Sequence, residues 1–315
     1  MVHGNVCFYK EDIVILIPII LFAYVRPAHL LRTLDCLREN KVPLIYAFSD
    51  GPQTPDKVHA VAQVRNMLRS IDWCEVALCE RESNLGLGRS ILTGVTEVLN
   101  KHEAAIIFED DLICVPGTYD YLCAALDQYR DDSRVMSITG WTHPLITPED
   151  VTDMPYFDGR AECWVWGTWA RAWGGMEIDA KTLMEQCKDK GIDIYRYGTD
   201  LVNMANAELH QNIWAVRLLY LHILKKGLCL RTPWSMVEHI GFDANATNAS
   251  NESWAKNPPL KHSPPIPTQW PVPVENAECA RLHQKMCGVR PTVAGRLYRF
   301  ASHLASKVLR AASVR

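Results

Sequence analysis

The sequence predicts a doubly wound α/β fold, Rossmann-like, with a central and mostly parallel sheet flanked by helices. Four short apolar runs alternate with helix-patterned segments through the first third of the chain, the signature of βαβ units whose strands are buried on both faces. Each run ends in polar residues: Arg26, then Ser49-Asp50-Gly51, then residues 81–88, then Glu109-Asp110-Asp111. In open sheets of this kind ligands bind beyond the carboxyl ends of the strands.

Strands are expected at residues 13–20, 44–48, 75–79 and 104–108. The first helix follows Pro27, a residue suited to a first helical turn, and carries Ala28, Leu31, Leu34 and Leu37 at helical spacing before closing near Asn40. Val58, Val61, Val64 and Leu68 mark a second helix, and Ile91, Val95, Val98 and Leu99 a third. Residues 163–173 are aromatic, with Trp164, Trp166, Trp169 and Trp173 among small residues. A helical pattern over 212–224, a strand over 228–230 and a polar segment over 238–251 follow, and this half is expected to complete the sheet. Residues 255–278 hold seven prolines, too many for regular structure. The expected organisation is one domain over 1–250, an extended arm over 251–285 and a basic amphipathic helix over 286–315.

Composition sets the class. The 315 residues are 48% hydrophobic and 22% charged with a formal charge of -3, ordinary values for a folded enzyme. A near-neutral chain is no nucleic-acid binder, because that affinity rests on clustered Lys and Arg. The eleven cysteines are scattered, odd in number and without a CxxC pattern, which points to a reducing compartment and small buried hydrophobes. The apolar run over 13–24 follows Lys10, Glu11 and Asp12 and contains Pro18; it falls short of the roughly 20 residues a bilayer span needs. A cytoplasmic protein is expected, so the acceptor sequons at Asn245, Asn248 and Asn251 carry little weight. After Glu278 all charges are positive. Leu297, Phe300, Leu304, Val308 and Ala311 form one helical stripe beside Arg296, Arg299, His303, Lys307 and Arg310, a pattern able to lie on an anionic membrane surface.

The chemistry is expected at Phe108-Glu109-Asp110-Asp111-Leu112, where an apolar strand delivers carboxylates to the ligand edge. Hard oxygen ligands suit Mg²⁺ or Mn²⁺, usually completed by substrate phosphates and water. A nucleotide diphosphate would supply those phosphates, and the metal would neutralise charge developing on it as a leaving group. Asp50 can accept from a base edge or ribose, Gly51 permits a tight turn, and Asn84-Leu-Gly-Leu-Gly-Arg89 opens a helix whose free N–H groups favour anions.

The ordered set Ile-Pro-Ile, Tyr24-Val-Arg-Pro-Ala-His-Leu30, Ser49-Asp50-Gly51, Asn84-Leu-Gly-Leu87, Glu109-Asp110-Asp111-Leu112 and Trp166-Gly-Thr-Trp-Ala-Arg-Ala-Trp173 resembles bacterial GT-A glycosyltransferases of the family 2 kind. In their donor half these are similar to N-acetylglucosaminyltransferase I. The resemblance covers about residues 13–248 and implies a GT-A fold. It also implies that Arg26, Asp50, Asn84 and Arg89 line the nucleotide, Asp110 meets the ribose and Asp111 the metal, with His239 a second candidate toward metal or diphosphate; Arg81, at the end of the third apolar run, is a further nucleotide-side candidate by its position. Trp164 and Trp169 are candidates for an acceptor-side wall, since aromatic faces pack on pyranose rings.

An inverting transferase needs a carboxylate base within reach of the acceptor hydroxyl. The eukaryotic relative has an acidic Trp-Asp-Asp-Trp-like stretch where this chain has Gln211-Asn212-Ile213-Trp214. Glu162 is the first substitute, with Glu208 and Asp243 after it. The expected activity is transfer of a sugar from a nucleotide-diphosphate donor to a carbohydrate or lipid-linked acceptor, with inversion, in cell-surface polysaccharide synthesis. A nucleotidyltransferase acting on sugar phosphates and a non-catalytic sugar-binding scaffold are the alternatives.

Overall fold

The computed structural model describes residues 8–10, 13–211, 213–241 and 257–289. A short hairpin of β1 (Phe8–Lys10) and β2 (Ile13–Ile15) precedes the central strand β3 (Ile19–Ala23). The single strand expected over 13–20 is therefore two. Pro18 divides them, since it has no N–H to donate, while its carbonyl still accepts from Ile106 N at 3.0 Å.

The βαβ series then runs α1 (Pro27–Glu39), β4 (Leu44–Ser49), α2 (Val58–Arg69), β5 (Glu75–Glu80), α3 (Leu87–Leu99) and β6 (Ala104–Glu109). After it come β7 (Leu112–Cys114), α4 (Thr118–Gln128), β8 (Val135–Thr139), β9 (Tyr156–Asp158), β10 (Trp166–Trp169) and the single turn α5 (Ala170–Trp173). Helices α6 (Ala180–Asp189), α7 (Asp200–Gln211) and α8 (Ala215–Lys225) lead into β11 (Leu228–Arg231) and β12 (Val237–His239), and α9 (Cys279–Cys287) ends the described chain.

Among the described residues the main sheet has the order β5-β4-β3-β6-β10-β8-β11-β9. Strands β5, β4, β3 and β6 are mutually parallel, and β10 runs antiparallel between β6 and β8. The fold is thus mixed α/β, a large central sheet flanked by helices. Alternation along the strands supplies two cores. Ile19, Leu21 and Ala23 with Ala104, Ile106 and Phe108 face α1, α2 and α4, whereas Ile20, Phe22, Ala105 and Ile107 face α3, α6 and α8. Near-continuous apolar runs are what a strand buried on both sides requires.

Since α1 and α2 cover one face and α3 the other, chain order reverses between β3 and β6. That switch point is where open α/β sheets leave a crevice. Strand β7 leaves the main sheet to pair with β12, His239 opposite Leu112, which brings the distant 237–241 segment back to the end of β6. Residues 257–278 run along the far side: Lys261 N donates to Ser235 O, Asn276 N to Phe157 O and Tyr129 Oη to Pro271 O. Helix α9 is anchored where His283 Nε2 meets Asp158 Oδ2 at 2.7 Å, both groups buried.

The sequons at 245–253 and the basic terminal stripe over 296–311 lie outside the described residues. Among the described residues no helix is long and apolar enough to cross a membrane.

Candidate functional site

The switch point joins β3 to β6 through charge. Arg26, one residue before α1, donates from Nη1 to Asp111 Oδ2 at 2.8 Å and from Nη2 to Asp110 Oδ1. Tyr24 N donates to Asp110 Oδ2 at 3.0 Å. Thr33 Oγ1, about two turns further along α1, donates to the carbonyls of Asp110 and Leu112. One helix therefore fixes both the acidic turn and its counter-ion.

Both aspartates are almost fully buried. Burial pushes the Asp110 carboxyl up, with Arg26 opposing and Asp111 reinforcing. For Arg26 burial works against the charge, but the two carboxylates outweigh it and hold the guanidinium above its usual value. The Glu109 side chain makes no hydrogen bond among the described residues, and burial together with the Asp111 and Asp110 charges pushes it up to about 8. The feature most suggestive of a ligand is Asp111 Oδ1, a buried oxygen with no hydrogen-bond partner among the described residues. Buried polar atoms are rarely left so, and an unbound ion or ligand is a standard reason.

The 237–241 segment closes over Asp111. Ile240 N donates to Asp111 O at 2.9 Å, and His239 Nε2 stands 3.6 Å from Asp111 Oδ2. Gly241 N donates to His239 Nδ1 at 3.1 Å, so the neutral ring accepts at Nδ1 and carries its proton on Nε2, facing the carboxylate. Burial pulls the His239 pKa down, Asp111 opposing. In this tautomer His239 is a donor toward Asp111 or an incoming oxyanion. His29, a residue the sequence reading passed over, meets Ile240 O from α1 at 3.1 Å.

An aromatic wall continues from His239. Its ring centroid is 4.7 Å from that of Trp164, which packs edge-on against Trp141 at 4.7 Å. Trp141 Nε1 is a second buried polar atom without a partner at this edge. Trp141 follows β8, which is parallel to β6, so the short apolar run 135–139 ending in Gly140-Trp141 was the available signal for it. Val165 bridges wall and strand with φ of +49° while fully buried, an outlier for a β-branched residue.

The nucleotide-side candidates gather at the ends of β4 and β5. Asp50 accepts from Arg81 Nη1 at 2.8 Å and from Leu85 N at 3.0 Å. Arg81 also donates to Ser90 and Thr93 of α3 and lies over the Phe48 ring. Asn84 caps the next turn, accepting from Gly86 N and donating to Gly51 O. A β-carbon on Gly51 would fall 2.3 Å from Glu82 O, so this close approach requires glycine. Arg89 is exposed on the first turn of α3.

Other candidates separate. Trp169 is 2% exposed, donates from Nε1 to Leu126 O and stacks under Arg171. It belongs to the core: both faces of β10 are covered, with Trp166 in the core on one side and Trp169 in the core on the other. Glu208 is 5% exposed and fully engaged: Ala180 N and Arg217 Nε donate to its two oxygens. A carboxylate so committed braces α6, α7 and α8 and is removed from the base candidates. Glu162 is partly open. Its Oε1 accepts from Cys163 N, and Oε2 lies 3.7 Å from the buried Arg231 Nη1, which has no hydrogen-bond partner. Asp243 lies outside the described residues.

Among the described residues no group of three or more His, Cys, Asp and Glu is arranged to hold a metal. What fits a divalent ion is narrower: the bare Oδ1 of Asp111, with the remaining ligands left to phosphate and water, a common arrangement for Mg²⁺.

No protein-family model matches the chain, and no curated protein matches it. Solved structures overlap it weakly. The mannosyltransferase PcManGT from Pyrobaculum calidifontis, in complex with GDP-Man and Mn²⁺, is 14% identical over 56% of this chain and 46% of that one, with a TM-score of 0.34. A cytidylyltransferase from Leptospira borgpetersenii is 12% identical over 52% and 64%, TM-score 0.31. A 4-diphosphocytidyl-2C-methyl-D-erythritol synthase from Anaerococcus prevotii is 10% identical over 57% and 77%, TM-score 0.30. The chain thus spans about half the length of the first and under two thirds of the second. The fold assignment rests on its own strand order.

Proposed function

We propose that this protein is a metal-dependent glycosyltransferase of the GT-A type, moving a sugar with inversion from a nucleotide-diphosphate donor to a carbohydrate or lipid-linked acceptor in cell-surface polysaccharide synthesis. The observation that carries it is the buried, partnerless Oδ1 of Asp111 at the β3/β6 switch point, flanked by a guanidinium and an imidazole N–H. Mn²⁺ or Mg²⁺ held by Asp111 would offset charge on the departing diphosphate.

The chain's own residues divide the work. Asp110 accepts ribose hydroxyls, Arg26 and His239 donate to phosphate oxygens, and the loop shaped by Asp50, Arg81 and Asn84 holds the nucleotide with Arg89 beside it. Trp164 and Trp141 wall the sugar side, and Glu162 is the base. Helix α9 stops at Cys287, with Gly288 at φ of +91°, so one continuous helix over 286–315 is not formed; the basic segment over 290–315, outside the described residues, would meet an anionic membrane, and the protein would work at the cytoplasmic face.

A nucleotidyltransferase uses similar carboxylates, but would carry a basic glycine-rich loop after the first strand. Here that place holds Tyr24-Val-Arg-Pro27, which contains no glycine. The test is to incubate the protein with Mn²⁺ and either nucleotide-diphosphate sugars or nucleoside triphosphates plus sugar phosphates. Release of nucleoside diphosphate, lost in Asp111→Asn, is expected; release of pyrophosphate would sink the glycosyltransferase reading, and release of neither would favour a scaffold.

A further inference from the structure

We propose that Arg26 is the internal counter-ion of this site, competing with a divalent cation for Asp111 until a diphosphate draws the guanidinium away. The inference rests on the metal-dependent reading and adds an order of assembly to it.

Two buried aspartates side by side repel, and the protein meets that cost with one guanidinium bonded to both. The two oxygens of Asp111 are thereby made unlike. Oδ2 accepts from Arg26 and faces His239 Nε2, whereas Oδ1 has no partner among the described residues. A cation arriving at Oδ1 alone meets a carboxylate whose charge is already partly offset by the guanidinium it shares with Asp110, and lies within a few ångströms of a fixed positive group. Metal affinity in the absence of nucleotide is therefore weak.

A diphosphate changes both conditions. It adds hard oxygen ligands for the ion, and it offers the guanidinium a second bidentate partner, since the same planar fork fits phosphate and carboxylate. Arg26 is able to make the exchange. Its backbone is fixed beside Pro27 at the start of α1, but its side chain is 24% exposed against 4% and 8% for the two aspartates. Metal and diphosphate then bind with positive coupling through one residue, and the coupling is reciprocal.

The test uses Mn²⁺ alone, followed by paramagnetic resonance of the free ion, on the natural protein, Arg26→Gln and Arg26→Lys. Inorganic pyrophosphate is then added to each. Arg26→Gln should bind Mn²⁺ alone at least about tenfold more tightly than the natural protein, and pyrophosphate should strengthen Mn²⁺ binding in the natural protein but far less in the variant. Arg26→Lys, which keeps the charge but loses the fork, should fall between them, and it carries the test if the Gln variant melts early. If the natural protein binds Mn²⁺ with pyrophosphate while neither variant binds Mn²⁺ alone more tightly, the site stands and the counter-ion role is wrong. If no folded form binds Mn²⁺ under either condition, the metal-dependent reading falls and this inference with it.

Discussion

Gly241 stands so close to Asp111 that a β-carbon on it would lie 2.3 Å from Oδ2 and 2.9 Å from His239 Cε1. The backbone after β12 thus forms one wall of the carboxylate's pocket. Gly241→Ala must displace either Asp111 or His239, both of which face the proposed metal. The expected outcome is a loss of at least tenfold, ~1.4 kcal/mol, in Mn²⁺-dependent nucleotide affinity, with thermal melting little changed. Unaltered affinity on calorimetric titration would show that this contact does not shape the site.

Asp50 spends both carboxylate oxygens on the loop beyond β5, one on Arg81 and one on Leu85 N. In Asp50→Asn the amide keeps the shape but offers only one acceptor, leaving a half-buried Arg81 short of its charge partner. Denaturant unfolding should report a loss of about 1–3 kcal/mol, together with weaker nucleotide binding. A variant of natural stability would mean that the Ser90 and Thr93 contacts alone hold Arg81.

Two tryptophans five residues apart should answer in opposite ways. Trp169→Ala empties a core position packed on α4 and should cost about 3–5 kcal/mol. Trp164→Ala removes a partly buried ring from the wall beside His239, so its stability cost should be smaller. Its effect should appear in transfer to an acceptor, with donor hydrolysis retained. Urea unfolding and the two assays check this, and the reverse ordering would contradict the placement of either ring.

His222 is wholly buried, with Leu218 O accepting from Nδ1 and Ser137 Oγ 2.8 Å from Nε2. Burial pulls its pKa from 6.5 to about 4. Between those values the unfolded chain binds the proton and the folded protein does not, so stability rises with pH across this window. Below it the full loss, ~3 kcal/mol, is complete. Melting curves at pH 7 and pH 4.5 should show a larger drop for the natural protein than for His222→Asn, which cannot titrate there. Equal drops would exclude His222 as the cause.

The first half of the main sheet was legible because strands buried on both faces read as apolar runs, and because their polar ends mark the ligand edge wherever the strands pair. Pro18 was the visible flaw in the first run. Pairing of Arg26 with Asp110 and Asp111 was not legible, since it joins residues more than 80 positions apart through the strand order. Gly241 and Trp141 were missed for the same reason: their neighbours arrive by the β7–β12 pairing and by β8 running parallel to β6. Glu208 misled because a carboxylate in an amphipathic stretch looks the same whether it faces a substrate or, as here, Arg217. Trp169 misled because aromatic density cannot say which rings reach the strand's end and which are buried along a central strand covered on both faces.

The most direct measurement is calorimetric titration of nucleoside diphosphates and their sugars, with and without Mn²⁺, into the natural protein and Asp111→Ala. The account predicts binding of one nucleotide that requires the metal and disappears in the variant. Metal-independent binding that Asp111→Ala leaves intact, or no binding to folded protein, would contradict it.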